Sequence, residues 1–223
     1  MIVFVADGTL IGGESTDKES FEAAFKEAAG FALEEAFFAS LQEVTARAIV
    51  HQALGAADPE KVRSTERAVC EGYLRRLKQA HDRNPASFWA TRGAVALLKD
   101  LSAKGTPVAI ATGDWRETIS FKLRAAGIPL HGVPLVTSSD FYSRAEIITE
   151  AVARAGRPLR EAIYVGDGLW DLRACRALGI PFMGVGARRE LLREAGAAYI
   201  LASLEPAEFW RVKGMVTMPR GAP

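Results

Sequence analysis

The chain opens on six apolar residues in a row, Met1-Ile2-Val3-Phe4-Val5-Ala6, and Asp7-Gly8-Thr9 stops them abruptly. A run too short for a helix, rich in β-branched and aromatic side chains and closed by a turn signal, predicts a strand covered on both faces. Strands of that kind belong to parallel sheets, whose crossover connections lay helices on either side. The remainder of the chain must then supply more such strands, separated by helices. It does so after about residue 88: apolar runs at 107–111, 135–137, 162–165, 181–185 and 199–201 alternate with helical patterns at 93–103, 115–126, 143 onward, 169–177 and 188–195. Ser143 and Glu146 have the spacing of a capping box, in which hydroxyl and carboxylate satisfy free amide hydrogens reciprocally.

Between the first strand and this alternation lies a stretch with helical periodicity only. Apolar residues recur at helical spacing from 17 to 54, and Asp58-Pro59-Glu60 starts a further helix with Asp58 as N-cap and Pro59 in its first position. The Asp82-Arg83-Asn84-Pro85 cluster ends it. The expected fold class is therefore α/β, a Rossmann-like parallel sheet with an inserted all-helical cap: residues 1–12 and 89–223 form the core and 13–88 the cap. A chain of 223 residues with 49% hydrophobic content can bury a core of that size.

Charge narrows the partners. Lys and Arg total 28 against 27 Asp and Glu, so no general pull toward nucleic acid or anionic membrane is expected, and any anion site must be local. Cys70 and Cys175 lie far apart with no CxxC pair, which argues against a disulfide framework or zinc site and for a reducing, cytoplasmic location. No stretch approaches the roughly 20 apolar residues that span a bilayer.

In an open α/β sheet, functional residues gather at the carboxyl ends of strands. Four strand ends carry suitable groups: Asp7-Gly8-Thr9, Thr112-Gly113-Asp114, Ser143-Arg144, and Asp167 with Asp171. In order and spacing this set resembles the four motifs of the haloacid dehalogenase-like superfamily, over nearly the whole chain. That family's first motif reads Asp-x-Asp-Gly-Thr-Leu, and here the residues are Val5-Ala6-Asp7-Gly8-Thr9-Leu10. Ala109-Ile110-Ala111-Thr112 matches the second motif, Arg144 stands for the lysine of the third, and Gly166-Asp167-Gly168-Leu169-Trp170-Asp171 matches the fourth. The helical insertion after the first motif is similar to the family's C1-type cap, as in phosphoglycolate phosphatase-like members.

The resemblance implies a magnesium-assisted phosphatase acting through a covalent phosphoaspartyl intermediate. It assigns acid/base work to Asp7, a phosphoryl hydrogen bond to Thr112 and positive charge beside the phosphoryl group to Arg144. Gly8, Thr9 and Gly113 would surround the substrate, a small phosphorylated molecule. Asp7, Asp167 and Asp171 would hold Mg2+, Asp171 directly or from behind. Each residue also has a purely structural role open to it: Asp7 as a turn former, Thr112 as a strand terminus, Arg144 as a solvated side chain, and Asp167 and Asp171 as helix caps. Trp115 and Trp170, just past strand ends, are expected to pack rather than line the site.

Two residues depart from the family pattern. Val5 stands at the nucleophile position, and a valine neither attacks phosphorus nor ligates a metal. Arg144 replaces an ammonium by a planar fork with a bidentate preference. The leading expectation is a homologue that binds a phosphorylated metabolite, or a protein partner through its cap, with impaired turnover. The alternative is an active phosphatase using Asp7, with Thr9 two residues on, or a metal-bound water. Dehalogenation and mutase chemistry share the need for the missing nucleophile and are disfavoured. A monomer or a homodimer is expected.

Overall fold

The computed structural model describes residues 1–216. Its main sheet has six strands, β1 (Ile2–Phe4), β4 (Val108–Ala111), β5 (Leu135–Val136), β6 (Ile163–Gly166), β7 (Phe182–Gly184) and β8 (Tyr199–Ile200). They run in the order β5-β4-β1-β6-β7-β8, and every pairing is parallel. The expected α/β parallel fold is observed.

Pleating explains why the first apolar run is continuous. Ile2 and Phe4 point into one core, with Ile110, Ile163 and Val165 from the neighbouring strands, while Val3 and Val5 point into the other, with Ala109, Ala111 and Tyr164. Successive side chains of a strand face opposite sides, so a strand covered twice has no polar face. Helix α5 (Ala94–Ala103) and helix α6 (Arg116–Ala125) cover the first side; α7 (Arg144–Arg154) and α8 (Leu169–Leu178) cover the second. The short α9 (Arg189–Glu194) adds Leu192 to the second core.

The chain leaves β1 toward β4 and β5 on one side and returns to build β6, β7 and β8 on the other. That reversal opens a crevice at the carboxyl ends of β1, β4 and β6, where α/β sheets bind ligands. A two-stranded antiparallel ribbon, β2 (Ile11–Gly12) with β3 (Trp89–Ala90), joins the sheet to the helices inserted after it.

Those helices depart from the sequence reading in one respect. Instead of one helical stretch over 17–54 there are three: α1 (Glu14–Ala29), α2 (Glu35–Ser40) and α3 (Ala46–Leu54), before the long α4 (Pro59–Arg83). Gly30, at φ 83°, ends α1 in the left-handed region, and the Thr45 side chain accepts from the amide of Ala48 to start α3. Asp58 caps α4 and Ser143 caps α7 through a capping box with Glu146, both as the sequence suggests. The helical block packs around Phe25, Val50, Val69, Tyr73 and Leu77, and Trp115 and Phe121 from the sheet side join that cluster. A last helix, α10 (Pro206–Lys213), closes the first core with Phe209 and Val212. The expected core range extends to residue 223, and its final seven residues lie outside the described ones. Among the described residues no helix is long and apolar enough to cross a membrane.

Candidate functional site

A cleft of about 1050 Å³ lies between the sheet crevice and the helical block. Val5, Asp7, Gly8, Thr112, Gly113, Arg144 and Asp167 all line it, so residues from four separate strand ends share one hollow. Two expected residues stand elsewhere. Asp171 is fully buried and does not line the cleft; its carboxylate accepts from the Gly168 amide at 3.2 Å and the Tyr164 hydroxyl at 3.2 Å. Thr9 is buried behind the first loop, where its carbonyl accepts from the Thr91 hydroxyl, and it faces a second hollow rather than the cleft. The turn needs its backbone folded back on Ala6, and that turns the side chain away.

Gly8 shows how closely the loops meet. It sits at φ 72°, and a Cβ placed on it would lie 2.3 Å from Oδ2 of Asp167. Gly8→Ala is therefore expected to cost about 1–3 kcal/mol through backbone strain alone, with further loss from displacing Asp167, and urea unfolding measures it. Gly113 also stands close to its neighbours: a Cβ there would meet Nη2 of Arg144 at 2.7 Å and the Val44 carbonyl at 3.0 Å.

Arg144 opens α7 and is 5% exposed, so the surface role is excluded. Its Nη2 donates to the Val44 carbonyl at 2.8 Å, and its Nε lies 3.4 Å from Oδ1 of Asp171. Nη1 is buried with no hydrogen-bond partner. A buried guanidinium N–H left unpaired is a costly arrangement unless an acceptor completes it. Burial disfavours the charge, but Asp171 and Tyr164 outweigh it and keep the guanidinium protonated.

The carboxylates are partnered within the chain. Nη1 of Arg188 donates to Asp167 at 3.2 Å, and the Arg188 guanidinium stacks over the Trp170 ring at 5.2 Å. Trp170 thus lines the cleft, whereas Trp115 packs against Phe21 and Tyr73 as expected. Burial and the nearby Asp171 push Asp167 up to about 7 despite Arg188. Burial likewise pushes Asp7 up to about 7 against the pull of a lysine that the sequence reading missed.

That lysine is Lys122 of α6. Its side chain is 1% exposed, and its Nζ lies 2.7 Å from Asp7, 2.5 Å from Asp17 and 2.9 Å from Asp114, with the Tyr73 hydroxyl at 3.2 Å. Burial alone would lower the Lys122 pKa, but Asp114, Asp17 and Asp7 together raise it well above the ordinary lysine value. A sequence signal exists: Lys122 follows Asp114 and Thr118 at intervals of four and adjoins Ile119 and Leu123 on the buried stripe of α6.

A resident divalent ion needs converging oxygen donors. Val5 supplies none, Asp171 does not face the cleft, and Asp7 and Asp167 are each engaged by a cation of the chain. No group of three or more His, Cys, Asp or Glu among the described residues is arranged to hold a metal. The donor set does not fit the magnesium site that the resemblance implied.

Comparison with known proteins gives one family. The sequence pattern described as haloacid dehalogenase-like hydrolase matches residues 2–185. A hydrolase from Pseudomonas syringae superposes with a TM-score of 0.74 at 19% identity, covering 97% of this chain and 98% of its own. CbbY from Rhodobacter sphaeroides, solved in complex with phosphate, gives 0.71 at 20% identity over 92% and 94% of the two chains. A β-phosphoglucomutase from Clostridium difficile gives 0.73 at 14% identity over 96% and 95%. At these identities the likeness is one of fold. No curated protein sequence matches the chain.

Proposed function

Because the chain belongs to the haloacid dehalogenase-like hydrolase family, whose fold it shares throughout the described sheet, we propose that its cleft holds the phosphoryl group of a small phosphorylated metabolite without ordinary turnover. One observation carries the reading: Val5 lines the cleft floor with Thr112 and Arg144, so the position of attack bears a hydrocarbon where the anion-holding groups persist. Nη1 of Arg144 is the donor in want of an acceptor, and a phosphoryl oxygen is a suitable one. Thr112, 1% exposed at the end of β4, offers its hydroxyl from the neighbouring strand. That CbbY was solved with phosphate fits a fold suited to the anion.

The rest of the ligand would meet a mixed wall. Leu33, Phe38, Leu41 and Ile49 from the helical block and Trp170 from α8 line the cleft mouth. Non-phosphate parts of the ligand would bury apolar surface there, at about 25 cal/mol per Å².

Asp7 is an unfavourable substitute nucleophile. Its carboxylate is bound to the Lys122 ammonium, which also holds two further carboxylates, and attack on phosphorus would require it to leave that pairing. Titration with inorganic phosphate, followed through tryptophan fluorescence, tests the binding: saturable quenching is expected, since Trp170 lines the cleft. Absence of any saturable response, together with release of phosphate from a panel of phosphomonoesters, would reject the reading.

A further inference from the structure

Three carboxylate oxygens, one each from Asp7, Asp17 and Asp114, lie within 2.9 Å of a single point, and the Nζ of Lys122 occupies that point. Calcium-sized ions gather oxygens at about 2.3–2.6 Å, whereas these three stand at 2.5–2.9 Å from the nitrogen, the distances of charge-assisted hydrogen bonds to an ammonium. Here a tethered ammonium does the grouping. It is sealed in, because Asp17 of α1 and Tyr73 of α4 close over it from the helical block while Asp7 and Asp114 hold it from the sheet side. The other two carboxylates of the strand-end set have cations of their own, Asp167 with Arg188 and Asp171 with Arg144.

We propose that this chain neutralises its cleft with its own cations, Lys122 standing permanently in the three-carboxylate point, so that the oxyanion binds with no divalent ion. The proposal rests on the phosphate-binding reading for its ligand, and on the geometry of Lys122 for the absence of a metal. The chemistry is specific. An ammonium supplies one charge and three donors and cannot be removed by a chelator; a divalent ion supplies two charges and exchanges with solvent. The same ammonium also fastens the helical block to the sheet, so closure of the cleft would be independent of metal as well.

Manganese(II) titration of the full chain, read by electron paramagnetic resonance, tests the site directly. The unaltered protein is expected to bind manganese more weakly than about 1 mM, and Lys122→Ala to bind one ion at least about tenfold more tightly, because three carboxylates then converge on an open point. Lys122→Gln keeps part of the side-chain volume and a donor without the charge, and replaces the alanine variant if that one fails to fold. One manganese per unaltered chain bound more tightly than about 1 mM overturns the proposal, as does a folded Lys122 variant with no gain. In parallel, the affinity for inorganic phosphate in chelator and in millimolar magnesium is expected to agree within about threefold, and a larger enhancement by magnesium overturns the proposal. Phosphate that binds under neither condition defeats the phosphate-binding reading, and the manganese result then decides the Lys122 site by itself.

Discussion

Val5→Asp is expected to bring about a thousandfold or more increase in phosphomonoester hydrolysis over the unaltered chain, in line with what losing a nucleophile costs in other enzymes. The new carboxylate would stand on the cleft floor in the company of Thr112, Arg144 and Asp167, which already line it. It also restores an oxygen donor to a set that lacks one, so the assay is run with magnesium present. The exchange has a cost in stability. Val5 is 4% exposed and packs with Val3, Ala111 and Tyr164, and a carboxylate there faces Asp167 across the same floor. An uncompensated buried charge costs about 3–5 kcal/mol, so the variant should unfold at lower urea, and more so at neutral pH than at acid pH where the carboxylate can protonate. A variant that folds, binds phosphate and hydrolyses nothing would show that the site lacks more than its attacking group.

Arg144→Ala carries the second large effect, and it is twofold. Removing the guanidinium leaves Asp171 buried without its cation and the Val44 carbonyl without its donor, which is expected to cost about 3–5 kcal/mol of stability. Phosphate affinity should fall at least about thirtyfold, corresponding to the ~2 kcal/mol minimum for deleting one partner of a buried charge pair. Arg144→Lys separates the two roles. It restores charge near Asp171 but cannot reach Val44 and the cleft at once, so stability should recover more than phosphate binding does. Chemical unfolding and phosphate titration of both variants read the difference. Equal phosphate affinity in the alanine variant and the unaltered chain would remove Arg144 from the site.

Much of the sheet side was legible in the sequence because its rules are local. A continuous apolar run ended by Asp7-Gly8-Thr9 has few structural solutions, and the polar residues at later strand ends fall on one edge by topology alone. That edge is where Asp7, Thr112, Arg144 and Asp167 meet. Thr9 and Asp171 were harder, since which way a turn residue or a helix residue points depends on neighbours remote in the chain: Thr91 for the one, Tyr164 and Arg144 for the other.

Lys122 escaped notice because nothing near it in sequence announces its three carboxylates together. Asp114 lies eight residues before it, in the loop that leads into α6, but Asp7 and Asp17 arrive from the first loop and from α1. The ribbon of β2 and β3 was too short to show a period, and the breaks between α1, α2 and α3 carry Leu33, Leu41 and Val44, apolar residues that continue the helical spacing across them. Helix α10 has an apolar pair, Phe209 and Val212, but only two turns in which to display it.

The central claim is that the cleft holds a phosphoryl group and leaves it intact. Phosphorus-31 NMR of phenyl phosphate incubated with the purified chain observes both halves at once. The ester resonance should broaden or shift in proportion to added protein while no inorganic phosphate accumulates; an unperturbed ester, or steady growth of the inorganic phosphate signal, would contradict the account.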